Sequence, residues 1–439
     1  MDLQFDNLLN YVKEYYLTVG KEVDDMIYNI LSIPDCHWGS IDPVEQCKSL
    51  EFILEFIKQS EKSGIHIDLL VMAGDYFDSK LPLNSREAIL SIQWFHELLD
   101  VCLENDTRVR LFQGTLDHDN DQLNAFKSLE NMTNQERPDL YGEDLPPFFR
   151  LFLKTTSEET LPGLKCIYCP DETVETSEYE ELYLNQMLSM HDIGFFHGTF
   201  DVVYGSLVEY NPSLMQKKNV IFRYSLWNKL IYGPMISGHW HDGKQYDHLY
   251  YTGSPFRYKF NEDEPKGMSF ISYNTEDHSY FYQKIRNPFE RQYLTYEVYS
   301  NLYKEKEDYR RIIDQIQTDI KKWDKPPASY ATIKIRILVY IIDDKPENDV
   351  FISALRQQFM NQSNVKIVIK NKLKDKIKKE ESRRNHEREK KYNFIYDKEK
   401  STPTVIQSFI QENNPEVEIP LEFIEKKTSA YIKDFNGKK

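Results

Sequence analysis

The sequence predicts an α/β protein, on three observations. Short apolar runs alternate with longer segments whose apolar residues recur at helical spacing, each of the first three runs ends in a loop bearing Asp or Asp and His, and glycine marks the changes of period. Ile27 to Ile33 reads as the first buried strand and delivers Asp35 and His37 just past its end. Pro43 to Lys58 follows with Val44, Cys47, Leu50, Ile53, Leu54 and Ile57 at helical spacing, and Gly64 closes that helix. Ile67 to Ala73 is a second strand ending at Gly74-Asp75, Ser85 to Leu103 a second helix, and Arg108 to Phe112 a third strand ending at Gly114. Downstream, Asp192 to Phe196 runs into His197, and Leu230 to Ile236 runs into Gly238-His239-Trp240-His241. Open α/β sheets place ligands beyond the carboxyl ends of their strands, so these loops are expected to converge on one crevice.

Five segments in those loops carry the residue types that a pair of divalent ions requires. They are Asp35-Cys36-His37, Gly74-Asp75-Tyr76-Phe77-Asp78, Gly114-Thr115-Leu116-Asp117-His118-Asp119, His197-Gly198 and Gly238-His239-Trp240-His241. Two ions about 3.5 to 4 Å apart need a bridging carboxylate and mixed imidazole and oxygen donors, and such a pair can clamp a phosphodiester and deprotonate a water between them. A single Asp-x-His is most often a surface pair or a satisfied core residue, whereas five pieces at successive element boundaries are not accounted for in that way. Cys36 is expected to point away from its two neighbours on an extended backbone.

With these motifs the chain resembles the calcineurin-like metallophosphoesterases, and within them the SbcD-type (Mre-eleven-like) DNA repair nuclease subunits, including the small recombination endonuclease subunits of T4-like phages. Gly74-Asp75-Tyr76-Phe77-Asp78, His197-Gly198-Thr199-Phe200, and Tyr251-Thr252-Gly253-Ser254-Pro255-Phe256-Arg257 followed by Lys266-Gly267 resemble that family's motifs, over roughly residues 25 to 275. The resemblance implies a double-sheet sandwich flanked by helices, with one metal on Asp35, His37, Asp75 and His241. It implies a second metal on the shared Asp75 with His197, His239 and a donor from the third motif. The family usually has Gly-Asn-His-Asp or Glu there, so this chain departs from it. Alignment on His118-Asp119 puts Asp117 in the place of the Asn, and a carboxylate is an adequate oxygen donor, whereas the neutral hydroxyl of Thr115 is a poorer one. His118 is then expected to stabilise or protonate the departing ribose oxygen and Asp119 to orient its ring. Asp78 and Asp242 are expected to support the ligands or cap loops. The implied cofactors are two divalent ions, Mn²⁺ before Mg²⁺.

Composition agrees with an intracellular enzyme. The chain has 439 residues, enough for two or three domains, no apolar run of spanning length and no signal peptide, so cytoplasm of a bacterium or of a phage-infected host and no membrane association are expected. Residues 1–24 read as an N-terminal helical extension, with Leu8, Leu9, Val12 and Tyr16 on one face. Five scattered cysteines argue against a disulfide framework, and Cys166-Ile167-Tyr168-Cys169, the one C-x-x-C, lies in an apolar strand-like stretch and reads as core rather than as a zinc knuckle. The formal charge of −16 is uneven: Lys366 to Lys391 holds twelve Lys or Arg against five Asp or Glu, a local +7 that leaves −23 elsewhere. That run is either a solvated helix or linker, or a strip that contacts phosphate or a partner.

The nuclease domain is placed at 25–284. Beyond it, Tyr293 to Tyr299 reads as a strand and Leu302 to Lys322 as a helix stopped by Lys325-Pro326-Pro327. A strand follows with Ile333, Ile335 and Ile337 alternating with Thr332, Lys334 and Arg336, then a helix from Asp349 to Met360 and a strand from Val365 to Ile369. This small α+β unit, 285–370, corresponds in position to the family's capping domain, which contacts DNA, so Arg257, Lys334 and Arg336 are candidate DNA contacts. Residues 371–439 read as a basic linker and two short amphipathic segments, Val405 to Gln411 and Leu421 to Ile432, too short to stand alone. The resemblance implies that they bind an SbcC-type SMC-like ATPase, within a heterotetramer built on a homodimer. Ile89, Ile92, Trp94 and Phe95 could serve such a dimer if exposed, with core packing as their default.

The function that follows is a metal-dependent exonuclease or endonuclease subunit acting in DNA end processing, recombination or double-strand-break repair. The alternatives are another calcineurin-like phosphatase or phosphodiesterase, and a catalytically weakened subunit that binds DNA ends.

Overall fold

The computed structural model describes residues 2–18, 27–82, 84–136, 147–172, 189–203, 221–260, 262, 264–300, 306–323, 333–343, 345–361, 364–372, 407 and 420–427. The chain divides into two compact units, Met1–Thr295 with Ile316–Arg336 and Asn364–Lys366, and Tyr296–Gln315 with Ile337–Ser363 and Ile367–Lys439.

The first unit opens with helix α1 (Asp2–Thr18), which buries Val12 and Tyr16 of the expected apolar face and donates a hydrogen bond from the Tyr16 hydroxyl to Ser272 Oγ (3.3 Å). Strand β1 (Ile27–Ile33) leads to α2 (Pro43–Lys62), β2 (Leu69–Ala73), α3 (Arg86–Glu104), β3 (Arg108–Phe112), the single turn α4 (Leu116–Asp119), α5 (Ala125–Glu136) and β4 (Phe149–Phe152). Helix α2 starts where Asp42 caps the amides of Val44 and Glu45 ahead of Pro43. It runs four residues past the expected Lys58. It ends in a Schellman turn: Ile65 N donates to Ser60 O (2.9 Å), Gly64 N donates to Glu61 O (3.0 Å), and Gly64 takes φ 78°. Ser85 caps α3 through the amide of Ala88. On α3, Trp94 and Phe95 belong to the core, Ile92 is half-buried, and Ile89 is exposed.

The chain continues through β5 (Thr156–Leu161), β6 (Leu164–Cys169), β7 (Ile193–His197), β8 (Thr199–Phe200), β9 (Ile221–Phe222), the turn α6 (Tyr224–Trp227), β10 (Met235–Gly238), β11 (Lys244–Tyr246), β12 (Leu249–Tyr251), β13 (Gly267–Asn274) and β14 (Tyr280–Arg286). Two six-stranded mixed sheets result, ordered β14-β13-β1-β2-β3-β4 and β11-β12-β10-β7-β6-β5. In the first, β1 to β4 run parallel and β13 joins β1 antiparallel from Ile27↔Asn274 to Ser32↔Ser269. In the second, β6, β7, β10 and β12 are parallel.

Period-two alternation assigns each side chain to a layer. Ile27, Leu31 and Ile33 of β1 pack toward the helices with Leu70 and Met72 of β2. Ile30, Leu69, Val71 and Ala73 join Phe195, Ile236 and Tyr168 in the layer between the sheets. The chain is therefore a mixed α/β sandwich, helices on one sheet and a second sheet against its other face. Cys166 enters the inter-sheet layer, whereas Ile167 and Cys169 face the third apolar layer with Phe196 and Trp227. Cys166 and Cys169 therefore lie on opposite faces of one strand and are free core thiols, as read from the sequence.

Strand β15 (Gln292–Tyr299), α7 (Lys306–Trp323), β16 (Ile333–Ile341), α8 (Glu347–Phe359) and β17 (Val365–Asn371) follow, and the strands form a three-stranded sheet ordered β15-β16-β17. Within the second unit Phe351, Leu355 and Phe359 of α8 are buried, as are Ile337, Leu338 and Val339 of β16, and Tyr299 stacks on Tyr340 with ring centroids 4.8 Å apart. Residues 421–427 are helical. The Pro326-Pro327 stop, most of the basic run and most of the segment from Val405 to Gln411 lie outside the described residues. Among the described residues no helix is long and apolar enough to cross a membrane.

Burial makes one element of the second sheet sensitive to acid. His191, buried and within 2.8 Å of Ser157 Oγ, is held down at about 4 by burial, with Lys165 acting in the same sense. The unfolded imidazole titrates near 6.5, so the stability that neutral His191 contributes is complete above that pH and is lost as pH falls toward 4. Chemical denaturation at pH 7 and pH 5 should show a stability loss that shrinks by about 1 to 2 kcal/mol in His191→Gln. An equal loss in both proteins would show that His191 is not the titrating group.

Candidate metal centre

The carboxyl ends of β1, β2, β3, β6, β7 and β10 bring the candidate ligands to one side of the two sheets, and backbone hydrogen bonds lock the loops together. Asp35 N donates to Gly74 O and His37 N to Asp75 O, both at 2.9 Å, and His239 N donates to Asp35 Oδ1 at 3.0 Å. Four of the ligand candidates take left-handed backbone conformations: Asp35 (φ 55°), His37 (φ 44°), Asp75 (φ 49°) and His239 (φ 80°). Asp and His tolerate this region better than most residues, but it is costly, and such strain collects at functional sites. The left-handed turns also overturn the expected extended backbone at Cys36, whose thiol is nonetheless directed away from the ligands into the core.

Among the described residues, three sets of donor atoms lie mutually within 4.8 Å: Asp35 with His37 and His241, His37 with Asp75 and His118, and Asp75 with His197 and His239. Asp75 faces two ways, with Oδ2 3.6 Å from His37 Nε2 and Oδ1 3.2 Å from His197 Nε2. His37 Nε2 and His241 Nε2 stand only 3.0 Å apart. Asp35 Oδ2 is buried with no hydrogen-bond partner. The two imidazole nitrogens can share one hydrogen, but the orphaned carboxylate oxygen beside them has no donor, and a cation among the three would satisfy it. These buried Asp and His groups could therefore hold a metal ion.

The electrostatics carry the same mark. Burial opposes charge on His197, yet the adjoining Asp75 carboxylate holds it up to about 10. Burial also opposes ionisation of Asp75, but His197 and then His37 hold it far below the usual carboxylate range. Burial pushes His239 down to about 3, helped by the charge on His197.

The structure revises the third motif. His118 N and Asp119 N both donate to Thr115 O at 2.9 Å, starting the α4 turn. Thr115 is thus the last residue before that turn, and Asp117, two residues on, is rotated about 200° around it. Asp117 is exposed and lines the cavity, but it joins none of the three donor sets. Thr115 Oγ1 instead lies 3.3 Å from Asp75 Oδ2, 3.5 Å from His197 Nε2 and 3.4 Å from His239 Nδ1. Asp119 does not orient His118. Its buried carboxylate accepts the amides of Phe77 (3.0 Å) and Gly114 (2.6 Å), tying the second and third loops together. Burial, then repulsion from Asp75, pushes its acid up to about 7. The His118 ring is held by Nδ1, which donates to the Asp78 carbonyl. Because a carbonyl only accepts, Nδ1 carries the hydrogen and Nε2 is left for proton transfer.

Other residues join the site through contacts that the motifs did not assign. The Tyr258 hydroxyl donates to Asp35 O, and its ring packs against His37 and His241 at 5.0 and 4.9 Å. Glu262 accepts from His241 Nδ1 (3.3 Å) and from the Tyr258 amide (3.0 Å), and fully buried Lys266 donates to His241 O (2.6 Å). Asp171, past the end of β6, is buried, and burial pushes it up to about 6 against the pull of His197. Only the position of Asp171 after a buried strand was a usable signal. Asp78 reaches His37 Nδ1 at 3.3 Å, and Asp242 reaches Lys266 at 3.4 Å. Of the candidate DNA contacts, Arg257 is turned inward onto Glu262 O (2.7 Å) and Glu290 (3.1 Å). Arg336 lies over the Phe260 ring at 4.5 Å, and Lys334 is half-buried on the same strand. Above the donors opens a cavity of about 580 Å³ whose wall includes Thr115, Asp117, His118 and Lys259.

In sequence comparisons no family model and no curated protein matches the chain.

The close approach of the loops gives a test. A Cβ on Gly114 would lie 2.0 Å from Asp75 N and 2.3 Å from Asp75 Oδ1, whereas one on Gly163 (φ 75°) meets nothing within 4 Å. Gly114→Ala is expected to cost about 3 kcal/mol or more of stability. Gly163→Ala should cost about 1 kcal/mol. Equal behaviour of the two variants by scanning calorimetry would contradict the packing described.

Proposed function

We propose that the chain is a two-metal-dependent DNA nuclease of the SbcD type, with the metallophosphoesterase fold. The observation that carries this reading is the Asp75 carboxylate, shared between two donor sets that come from the ends of different strands and, on one side, from a second sheet. That arrangement suits in-line displacement at a phosphodiester. The motif resemblance narrows the substrate to DNA.

Two divalent cations, Mn²⁺ or Mg²⁺, would supply Lewis acidity toward the phosphate and a water acidified toward neutrality. Asp35, His37 and His241 would hold one, His197 and His239 the other, and Asp75 both. His118 works from the cavity wall: with Nδ1 fixed on the Asp78 carbonyl, Nε2 gives a proton to the departing sugar oxygen. Lys259 stands exposed on the same cavity and supplies a positive charge for a phosphate entering an otherwise acidic site. Asp119 acts through the backbone by fixing the loops that carry Asp75 and Thr115.

The same reading makes the segment from 285 to 370 a cap that contacts DNA and the C-terminal segments, helical at 421–427, the docking elements for an SbcC-type ATPase. Homodimerisation and a place in the cytoplasm belong to it as well.

End-labelled linear duplex and single-stranded DNA, incubated with the purified chain in Mn²⁺, Mg²⁺ or chelator, tests the proposal. Cleavage is expected with metal and not with chelator. His118→Ala should lower the rate about 10²- to 10⁴-fold while Mn²⁺ binding is kept. Hydrolysis of small phosphate esters with DNA left intact would instead favour a phosphatase of the same superfamily.

A further inference from the structure

The two donor sets are unequal in chemistry. One offers the Asp35 carboxylate, two imidazoles from His37 and His241, and one face of Asp75. The other offers the imidazoles of His197 and His239 and the Oδ1 face of the same Asp75, which also accepts the Thr115 amide (2.5 Å); the Thr115 hydroxyl lies 3.5 Å from His197 Nε2, 3.4 Å from His239 Nδ1 and 3.3 Å from Asp75 Oδ2, the oxygen nearer His37. Counting Asp75 in both, the first set carries two negative charges and the second one. Affinity of oxygen-bearing sites for hard divalent ions rises with ligand charge, and a neutral hydroxyl adds none.

Support behind the imidazoles widens the difference. His241 Nδ1 faces the carboxylate of Glu262 at 3.3 Å, and that carboxylate is itself held by the Tyr258 amide (3.0 Å) and by Lys266 (3.3 Å). His197 Nδ1 faces a backbone carbonyl, Ala73 O, at 2.8 Å. A carboxylate behind a ligating imidazole raises its basicity more than a neutral carbonyl does.

We propose that the two positions fill in order: the Asp35–His37–His241 position binds its cation tightly, and the Asp75–His197–His239 position, completed by Thr115 rather than by Asp117, binds weakly. Free divalent metal then controls the site through the weaker position, and a chain with one cation is bound but not competent. This inference rests on the two-metal reading and concerns its regulation.

Equilibrium titration of the full chain with Mn²⁺, with free Mn²⁺ followed by its electron paramagnetic resonance signal, tests it without reference to turnover. Two ions per chain are expected, with dissociation constants at least about tenfold apart. Thr115→Ala should weaken the second constant further and leave the first within about twofold. Thr115→Asn, with a stronger carbonyl donor in the same place, should narrow the gap. Asp117→Asn and Asp171→Asn should leave both constants in place, and Asp35→Asn should weaken the tight class. Circular dichroism melts confirm that each variant is folded. Equal constants, one ion at saturation, or loss of the weak class in Asp117→Asn or Asp171→Asn with Thr115→Ala unchanged would overturn the inference alone. No Mn²⁺ bound at any concentration would overturn the two-metal reading beneath it.

Discussion

The sharing of one carboxylate, Asp75, between donors from opposite sheets is the constraint on which the rest of the structure depends. To reach both His37 and His197, Asp75 must leave β2 immediately, in a left-handed turn, and the neighbouring loops must approach backbone to backbone. Gly74, Gly114 and Gly238 allow this. A Cβ on Gly74 would lie 2.3 Å from His197 Nδ1, and one on Gly238 would lie 2.7 Å from Ala73 O. The apolar layer between the sheets, from Ile30 and Val71 to Phe195 and Ile236, sets the distance across which those ligands meet. Packing, backbone strain and ligand geometry are therefore one problem with a single solution in this chain.

What the sequence discloses depends on how local the physics is. Strands β1 and β3 begin and end where the sequence places them, because burial on both faces concentrates apolar residues along them, with Asn29, Ser32 and Arg110 as the polar interruptions. The convergence of the Asp and His candidates was legible because each follows a strand at the end where parallel sheets gather their loops. Strand β13 was not, since its place beside β1 depends on pairing across more than 200 residues and leaves no local period. At the third motif residue type favours the Asp117 carboxylate over a hydroxyl, while the α4 turn brings the Thr115 hydroxyl within 3.5 Å of Asp75, His197 and His239. Glu262 and Lys266 reach His241 through loop geometry that no spacing rule contains.

A formal charge of −16 sets this chain against polyanionic ligands, and the local structure answers part of that conflict. Buried cations are placed deliberately: Lys266 sits wholly inside, against the His241 carbonyl and Glu262, and His197 holds its proton against Asp75. That proton occupies ground a metal ion would take, so the carboxylates at the crevice are balanced rather than bare. On the proposed reading, bound divalent ions would reverse the sign of the site for an incoming phosphate, without any change in the acidic surface around it.

Anomalous diffraction at the manganese absorption edge, from crystals of the chain equilibrated in saturating Mn²⁺, tests the central claim most directly. Two peaks about 3.5 to 4 Å apart are expected, one on each side of the Asp75 carboxylate, the first among Asp35, His37 and His241 and the second among His197, His239 and Thr115. No peak at Asp75, or a single ion held elsewhere on the acidic surface, would contradict it.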